Sequence, residues 1–169
     1  MHRKTCKRYN VPGHAHALTF TCKDKRPLLD SEPAKRLFVA SLGAARQSRR
    51  FHLWAYVVMP EHAHVLLWPR EPDYSISETL RAIKRPMAFR AHQQGIVQEP
   101  GFWLAGGGYD RNLTSPEAVH HEIEYMHGNP VRRGLCAEPA DWRYSSAGFW
   151  AGHADVPLAM DRTVPAIDA

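Results

Sequence analysis

The chain has 169 residues, of which 44% are hydrophobic, 10% aromatic and 23% charged, and it carries a net charge of +5 at neutral pH. This is the composition of one ordinary globular domain and excludes a disordered, collagen-like or coiled-coil chain. No apolar run approaches the roughly 18 residues of a membrane span, and three widely spaced cysteines, Cys6, Cys22 and Cys136, make neither a disulfide framework nor a Cys-x-x-Cys zinc site.

In chain order, residues 1–13 read as a basic arm. Its start, MHRKTCKRYN, leads into no apolar stretch and so does not resemble a secretory signal. His16 to Cys22 alternates and is rich in strand formers, which predicts a strand. Pro27 to Asp30 is a turn. Glu32 to Arg50 is a predicted helix, with Ser31 as N-cap and Leu37, Phe38, Ser41, Leu42 and Ala45 at helical spacing. Phe51–Met59 and His62–Trp68 are predicted strands, joined so tightly by Pro60-Glu61 that they should form an antiparallel hairpin. Ser75 to Gln94 is a second helix, disturbed at Pro86, and a weak strand is expected over Gly108–Leu113. Ser115 to Gly128 is a third helix, opened by Pro116 and closed by Asn129-Pro130. Residues 14–151 then form one domain, and residues 152–169, rich in Ala, Pro and Asp, a loose tail. This order predicts an α+β, ferredoxin-like split βαβ antiparallel sheet with helices on one face and one added C-terminal helix.

Charge is unevenly placed. Residues 1–50 carry twelve Lys/Arg against three Asp/Glu, and residues 51–169 carry ten against fourteen. Such asymmetry fits a polyanion met by one face or arm, and equally a soluble domain that is basic at one end. Arg81, Lys84 and Arg85 cluster on the second helix, while Arg111, Arg132, Arg133 and Arg143 surround the third. Arginines clamp phosphates and exposed aromatics stack unpaired bases, so one or two of the five tryptophans are expected to be open to a ligand.

Two short segments could carry chemistry. His62 and His64 lie two apart on a predicted strand, so their imidazoles share a face and can hold one divalent ion. The same spacing also fits two surface histidines beside a turn, and His14-x-His16 repeats it at the ragged start of the first strand. Tyr125 and Asn129 are four apart on the third helix and share a face, with His121 beside them. A tyrosine phenolate is a competent nucleophile beside a metal, and the Asn129 carbonyl oxygen is a hard ligand. A surface tyrosine and a helix-ending Asn-Pro fit the same residues. His120 and His127 read as surface residues.

Together these segments resemble a known family. Residues 60–67, Pro-Glu-His-Ala-His-Val-Leu-Leu, resemble the HUH motif of the single-tyrosine transposases, and residues 124–135, Glu-Tyr-Met-His-Gly-Asn-Pro-Val-Arg-Arg-Gly-Leu, resemble their tyrosine segment. The downstream Trp-Arg-Tyr-Ser-Ser-Ala (142–147) and the Gly-Gly-Tyr-Asp-Arg-Asn-Leu of residues 107–113 are similar to the branch associated with repetitive extragenic palindromes (REP). The resemblance implies a cytoplasmic, nucleoid-associated enzyme that cleaves and rejoins single-stranded or hairpin DNA with Mg²⁺ or Mn²⁺. His62 and His64, with Asn129, would be metal ligands and Tyr125 the nucleophile, joined to a 5′-phosphate. Arg81, Lys84, Arg85, Arg111, Arg132 and Arg133 would bind DNA. A covalent intermediate conserves the phosphodiester bond, and no nucleotide-binding Gly-x-x-x-x-Gly-Lys loop is present. A monomer is favoured over a homodimer. Glu61 stands where Asn is common in the family, and Pro86 interrupts the basic helix. The alternatives are a non-catalytic repeat-DNA-binding protein of the same fold and a metal-dependent hydrolase of small phosphoesters.

Overall fold

A computed structural model describes residues 7–106 and 108–167. The elements are β1 (Ala15–Thr21), α1 (Glu32–Arg49), β2 (Phe51–Val58), β3 (His62–Pro69), α2 (Ile76–Gln93), β4 (Tyr109–Leu113), α3 (Pro116–Arg132) and α4 (Ala147–Trp150). The sheet order is β2-β3-β1-β4 and every neighbouring pair is antiparallel. This is the expected ferredoxin-like arrangement, in which each β-α-β unit spans a strand inserted between its two own.

Alternation sorts the side chains onto two faces. Leu18, Phe20, Val65 and Leu67 meet α1 and α2 in the larger core, with Phe38, Leu42, Ile83 and Met87. Ala15, Ala17, Val57 and Leu66 face the other way, against Val119 and Met126 of α3. A bulge between Leu53 and Ala55 shifts the alternation of β2, so that Leu53 and Tyr56 enter one core while Trp54 and Val57 enter the other. The sheet is thus covered on both faces, two helices on one and α3 on the other.

Ser31, Ser75 and Ser115 each cap a helix by accepting from the N–H three residues on. Both prolines expected to stop or disturb a helix are carried inside one. Pro86 lies within α2. Asn129-Pro130 does not end α3, which runs on to Arg132. Asn129 and Pro130 are buried, so packing holds the last turn despite the lost ladder bond.

The C-terminal segment differs from the loose tail expected. Met160 is buried, and Asp161 accepts from the Leu53 N–H at 2.8 Å and pairs with Arg46 at 2.7 Å. Thr163 accepts from the indole of Trp54, and Pro165 offers its carbonyl to His120. The segment lacks periodicity, which hid this strap: Met160, Leu158 and Val164 pack on the cores while its polar groups bond the sheet. Together with Tyr144–Ser146, whose backbone bonds β2 at Tyr56 and Val58, it covers the sheet's open edge. Residues 1–6 of the expected basic arm, with Cys6, lie outside the described residues. The rest of the arm is docked, since Asn10 accepts from the N–H of Ile76 and Tyr9 and Val11 offer carbonyls to Asn112 and Tyr74. Among the described residues no helix is long and apolar enough to cross a membrane.

Candidate active site

The start of β3 and the end of α3 meet on the α3 face of the sheet. His62 and His64 point to this face, and their Nε2 atoms stand 3.1 Å apart. Two donors about 2.1 Å from one octahedral ion at a right angle stand about 3.0 Å apart, so the pair fits adjacent positions on a small divalent ion. The outer ring nitrogens are both occupied. His62 Nδ1 lies 2.9 Å from the Glu61 carboxylate, which can only accept, so the proton sits on Nδ1 and Nε2 presents a lone pair. His64 Nδ1 lies 3.1 Å from the Thr19 hydroxyl. A hydroxyl can donate or accept, so Thr19 permits either tautomer of His64. Burial pushes His64 down to about 4, helped by the neighbouring His62 and Arg132 charges, and burial also lowers His62 against the opposing pull of Glu61. Both rings are therefore neutral at pH 7, as metal ligands must be.

The helix supplies the facing groups. The amide of Asn129 lies 3.4 Å from His62 Nε2, and with the amide turned over its oxygen faces the same point. The ring of Tyr125, 49% exposed, stands edge-on to His64 with centroids 6.3 Å apart. Arg132 folds back along the helix, donates to the Tyr125 carbonyl at 2.7 Å and lays its guanidinium 4.5 Å from the phenol ring centroid. Gly128 makes room for this, since a Cβ there would sit 2.6 Å from the Arg132 guanidinium. Among the described residues no three His, Cys, Asp or Glu side chains gather as a metal cluster, and the group facing the histidine pair from α3 is the Asn129 amide.

Beside Tyr125 opens a cleft of about 390 Å³, lined by Thr19, His64, Tyr109, Arg111, His121 and Glu122 among others. Burial raises the Glu122 carboxyl against the lowering effect of Arg111, 3.8 Å away, and of His121. Gly108 fixes the entry of β4. Its φ is +125°, and a Cβ there would press on the Thr19 carbonyl at 3.2 Å.

Of the residues singled out in the sequence, Tyr125, His62, His64 and Asn129 come together, with His121 and Arg111 on the cleft wall. Arg132 and Arg133 are close by but engaged, the first with Tyr125 and the second with Glu61. Arg81, Lys84 and Arg85 sit on α2, across the sheet from the histidines. Arg81 pairs with Glu78, Lys84 lies half-buried over Phe20 and Trp103, and Arg85 is exposed. None of the five tryptophans is exposed, Trp54 being buried and the other four half-buried, and all five indole N–H groups bond within the protein. The open aromatics are tyrosines and a phenylalanine, among them Tyr109 at the cleft and Phe89 on α2. His127 is no free surface residue either. It bonds Ser146 at 2.8 Å, and burial pushes it down to about 4. Thr19 escaped the sequence reading because only strand register sets it opposite His64.

These features define a ferredoxin-like α+β protein with a neutral histidine pair on a central strand, β3, and a helix-borne tyrosine above it. The model of the family described as transposase, IS200-like, matches residues 10–109, more than half of the chain, and the chain belongs to that family. It is 27% identical over 140 residues to the REP-associated tyrosine transposase of Escherichia coli K12, covering 83% of this chain and 80% of that one. Among solved structures it is similar to a REP-associated tyrosine transposase bound to a REP hairpin, with a TM-score of 0.73 at 22% identity over 97% of this chain and 98% of the other. A transposase structure from Deinococcus radiodurans also matches, with a TM-score of 0.51 at 22% identity over 73% and 96%.

Proposed function

We propose that this protein cleaves and rejoins single-stranded DNA beside hairpin-forming repeats through a covalent bond between Tyr125 and a 5′-phosphate. The observation that carries this reading is the meeting of Tyr125 and Asn129, four apart on α3, with His62 and His64 of β3. The likeness to a transposase solved with a REP hairpin supports hairpin DNA as the partner.

His62 and His64 through Nε2, and Asn129 through its amide oxygen, would hold Mg²⁺ or Mn²⁺. A bound ion supplies positive charge that polarises the scissile phosphate. Tyr125 attacks phosphorus in line. The phenolic O–P bond forms as the bond to the 3′-oxygen breaks, the phenol loses its proton and the departing oxygen gains one. A second 3′-hydroxyl reverses the step and rejoins strands without a nucleotide triphosphate. The Arg132 guanidinium lies over the phenol ring and holds it in place on α3. Arg111 on the cleft wall is placed to take a phosphate, and Tyr109, 58% exposed, to stack an unpaired base. Arg81, Lys84 and Arg85 would meet DNA only where it wraps past the β4 edge onto α2.

The test is cleavage of single-stranded oligonucleotides carrying palindromes from beside the gene, with Mn²⁺ or with EDTA. The expected result is a metal-dependent, denaturant-resistant protein–DNA adduct that Tyr125→Phe loses while still binding the DNA. Cleavage retained by Tyr125→Phe would overturn the assignment. Tight binding without an adduct by metal-loaded wild type would replace it with a non-catalytic repeat-binding factor.

A further inference from the structure

Glu61 stands in the two-residue turn before His62, and its carboxylate joins two elements. Oε1 accepts from His62 Nδ1 at 2.9 Å and from Arg133 Nη1 at 2.6 Å. Arg133 is the C-cap of α3, 72 residues away in sequence. The turn that carries the carboxylate is itself held on both sides. Cys22 donates to the Glu61 carbonyl at 2.9 Å and Leu29 to the Pro60 carbonyl at 2.9 Å. The carboxylate therefore hangs from a rigid base.

Three residues of α3 form one stripe at a spacing of four. Arg133 bonds Glu61, Asn129 lies against His62, and Tyr125 faces His64. The helix thus descends along Glu61-His62-Ala63-His64 in register, and the ion pair pins its far end. With Arg133 nearly half exposed, such a pair adds little to stability. What it can do is set direction. The Glu61–His62 bond holds the proton on Nδ1, so that the inner nitrogen presents a lone pair, and the Arg133 contact sets the end of α3 beside that ligand.

Resting on the reading of this site as a metal-dependent tyrosine transesterase, we infer that Glu61 is its positioning residue, presetting His62 for the cation and tying the tyrosine helix to that ligand through Arg133.

Binding of Mn²⁺ to the DNA-free protein, read by electron paramagnetic resonance, tests this directly. Glu61→Met keeps the volume but offers no acceptor, and is expected to weaken Mn²⁺ binding by about 10–100-fold. Glu61→Gln retains an acceptor and should restore most of that loss, which a side chain that merely filled space would not require. Arg133→Ala leaves the Glu61–His62 bond in place. It should weaken Mn²⁺ binding less than Glu61→Met does, and show faster amide exchange in the last turn of metal-free α3 and slower adduct formation. Mn²⁺ affinity unchanged in Glu61→Met would overturn the inference while leaving the transesterase reading intact. Wild type that takes up no Mn²⁺ would overturn both.

Discussion

His64 and His127 are held neutral by burial, both pushed down to about 4, and each spends its ring hydrogen bond on a hydroxyl, Thr19 or Ser146. In the unfolded chain they titrate near 6.5. Above that value both states are neutral and neither histidine affects stability. As pH falls from about 6.5 towards 4 the unfolded chain takes up protons that the folded one refuses, so stability is lost across that window. The melting temperature of metal-free protein in EDTA should therefore drop on acidification from pH 7 to 4.5, and His127→Gln should flatten part of the drop. A melting temperature independent of pH over that range would contradict the burial of these rings. The same residue scale shows why the histidine pair was readable and its partners were not. Spacing of two on a strand puts His62 and His64 on one face whatever the fold does. Nothing in the local sequence links Thr19 or Arg133 to them, because those links run across strands and between elements.

At the scale of elements, α2 is the clearest case of packing overriding local preference. Pro86 sits inside an 18-residue helix and is exposed, while Ile83 and Met87 on either side of it are fully buried. The buried face holds the helix together where the proline removes a ladder bond. Pro86→Ala should therefore stabilise the protein, up to the ~3 kcal/mol that proline costs in a helix interior, as measured by urea unfolding. A loss of stability instead would mean that the proline ring fits a shape the helix needs. In α3 the same competition decides the geometry of the site as well as the helix length. A helix ending at Gly128 would have left Asn129 and Arg133 free of helical register, and the stripe of Tyr125, Asn129 and Arg133 would not exist. The N-terminal ends of all three long helices were legible, since a serine cap is a local signal. The C-terminal end of α3 was not, because burial of Asn129 and Pro130 is a tertiary fact.

Across the whole molecule, the sheet divides two cores, and the strap of residues 157–165 closes the side where β2 would otherwise be an open edge. Asp161 is its anchor, with its carboxylate held below the ordinary range by the Leu53 N–H and Arg46, which outweigh its partial burial. Asp161→Ala should cost about 1–2 kcal/mol in urea unfolding, the net worth of a charged acceptor lost from a backbone donor and an arginine. Truncation after Gly152 should cost more, because Met160 and the Thr163–Trp54 bond go with it. An unchanged midpoint in the truncated chain would mean the strap only decorates the edge. By itself the sequence determined the order of the elements, the fold class that follows from that order, and the histidine and tyrosine motifs, since periodicity, caps and short spacings are written locally. Only the tertiary structure decided that α3 runs past its Asn-Pro, that it crosses to the face of the histidines, that Arg133 reaches Glu61, and that the aperiodic tail is a strap. Each of these depends on groups far apart in the chain meeting in a buried place, where packing and the satisfaction of polar groups outweigh the local preferences that a sequence displays.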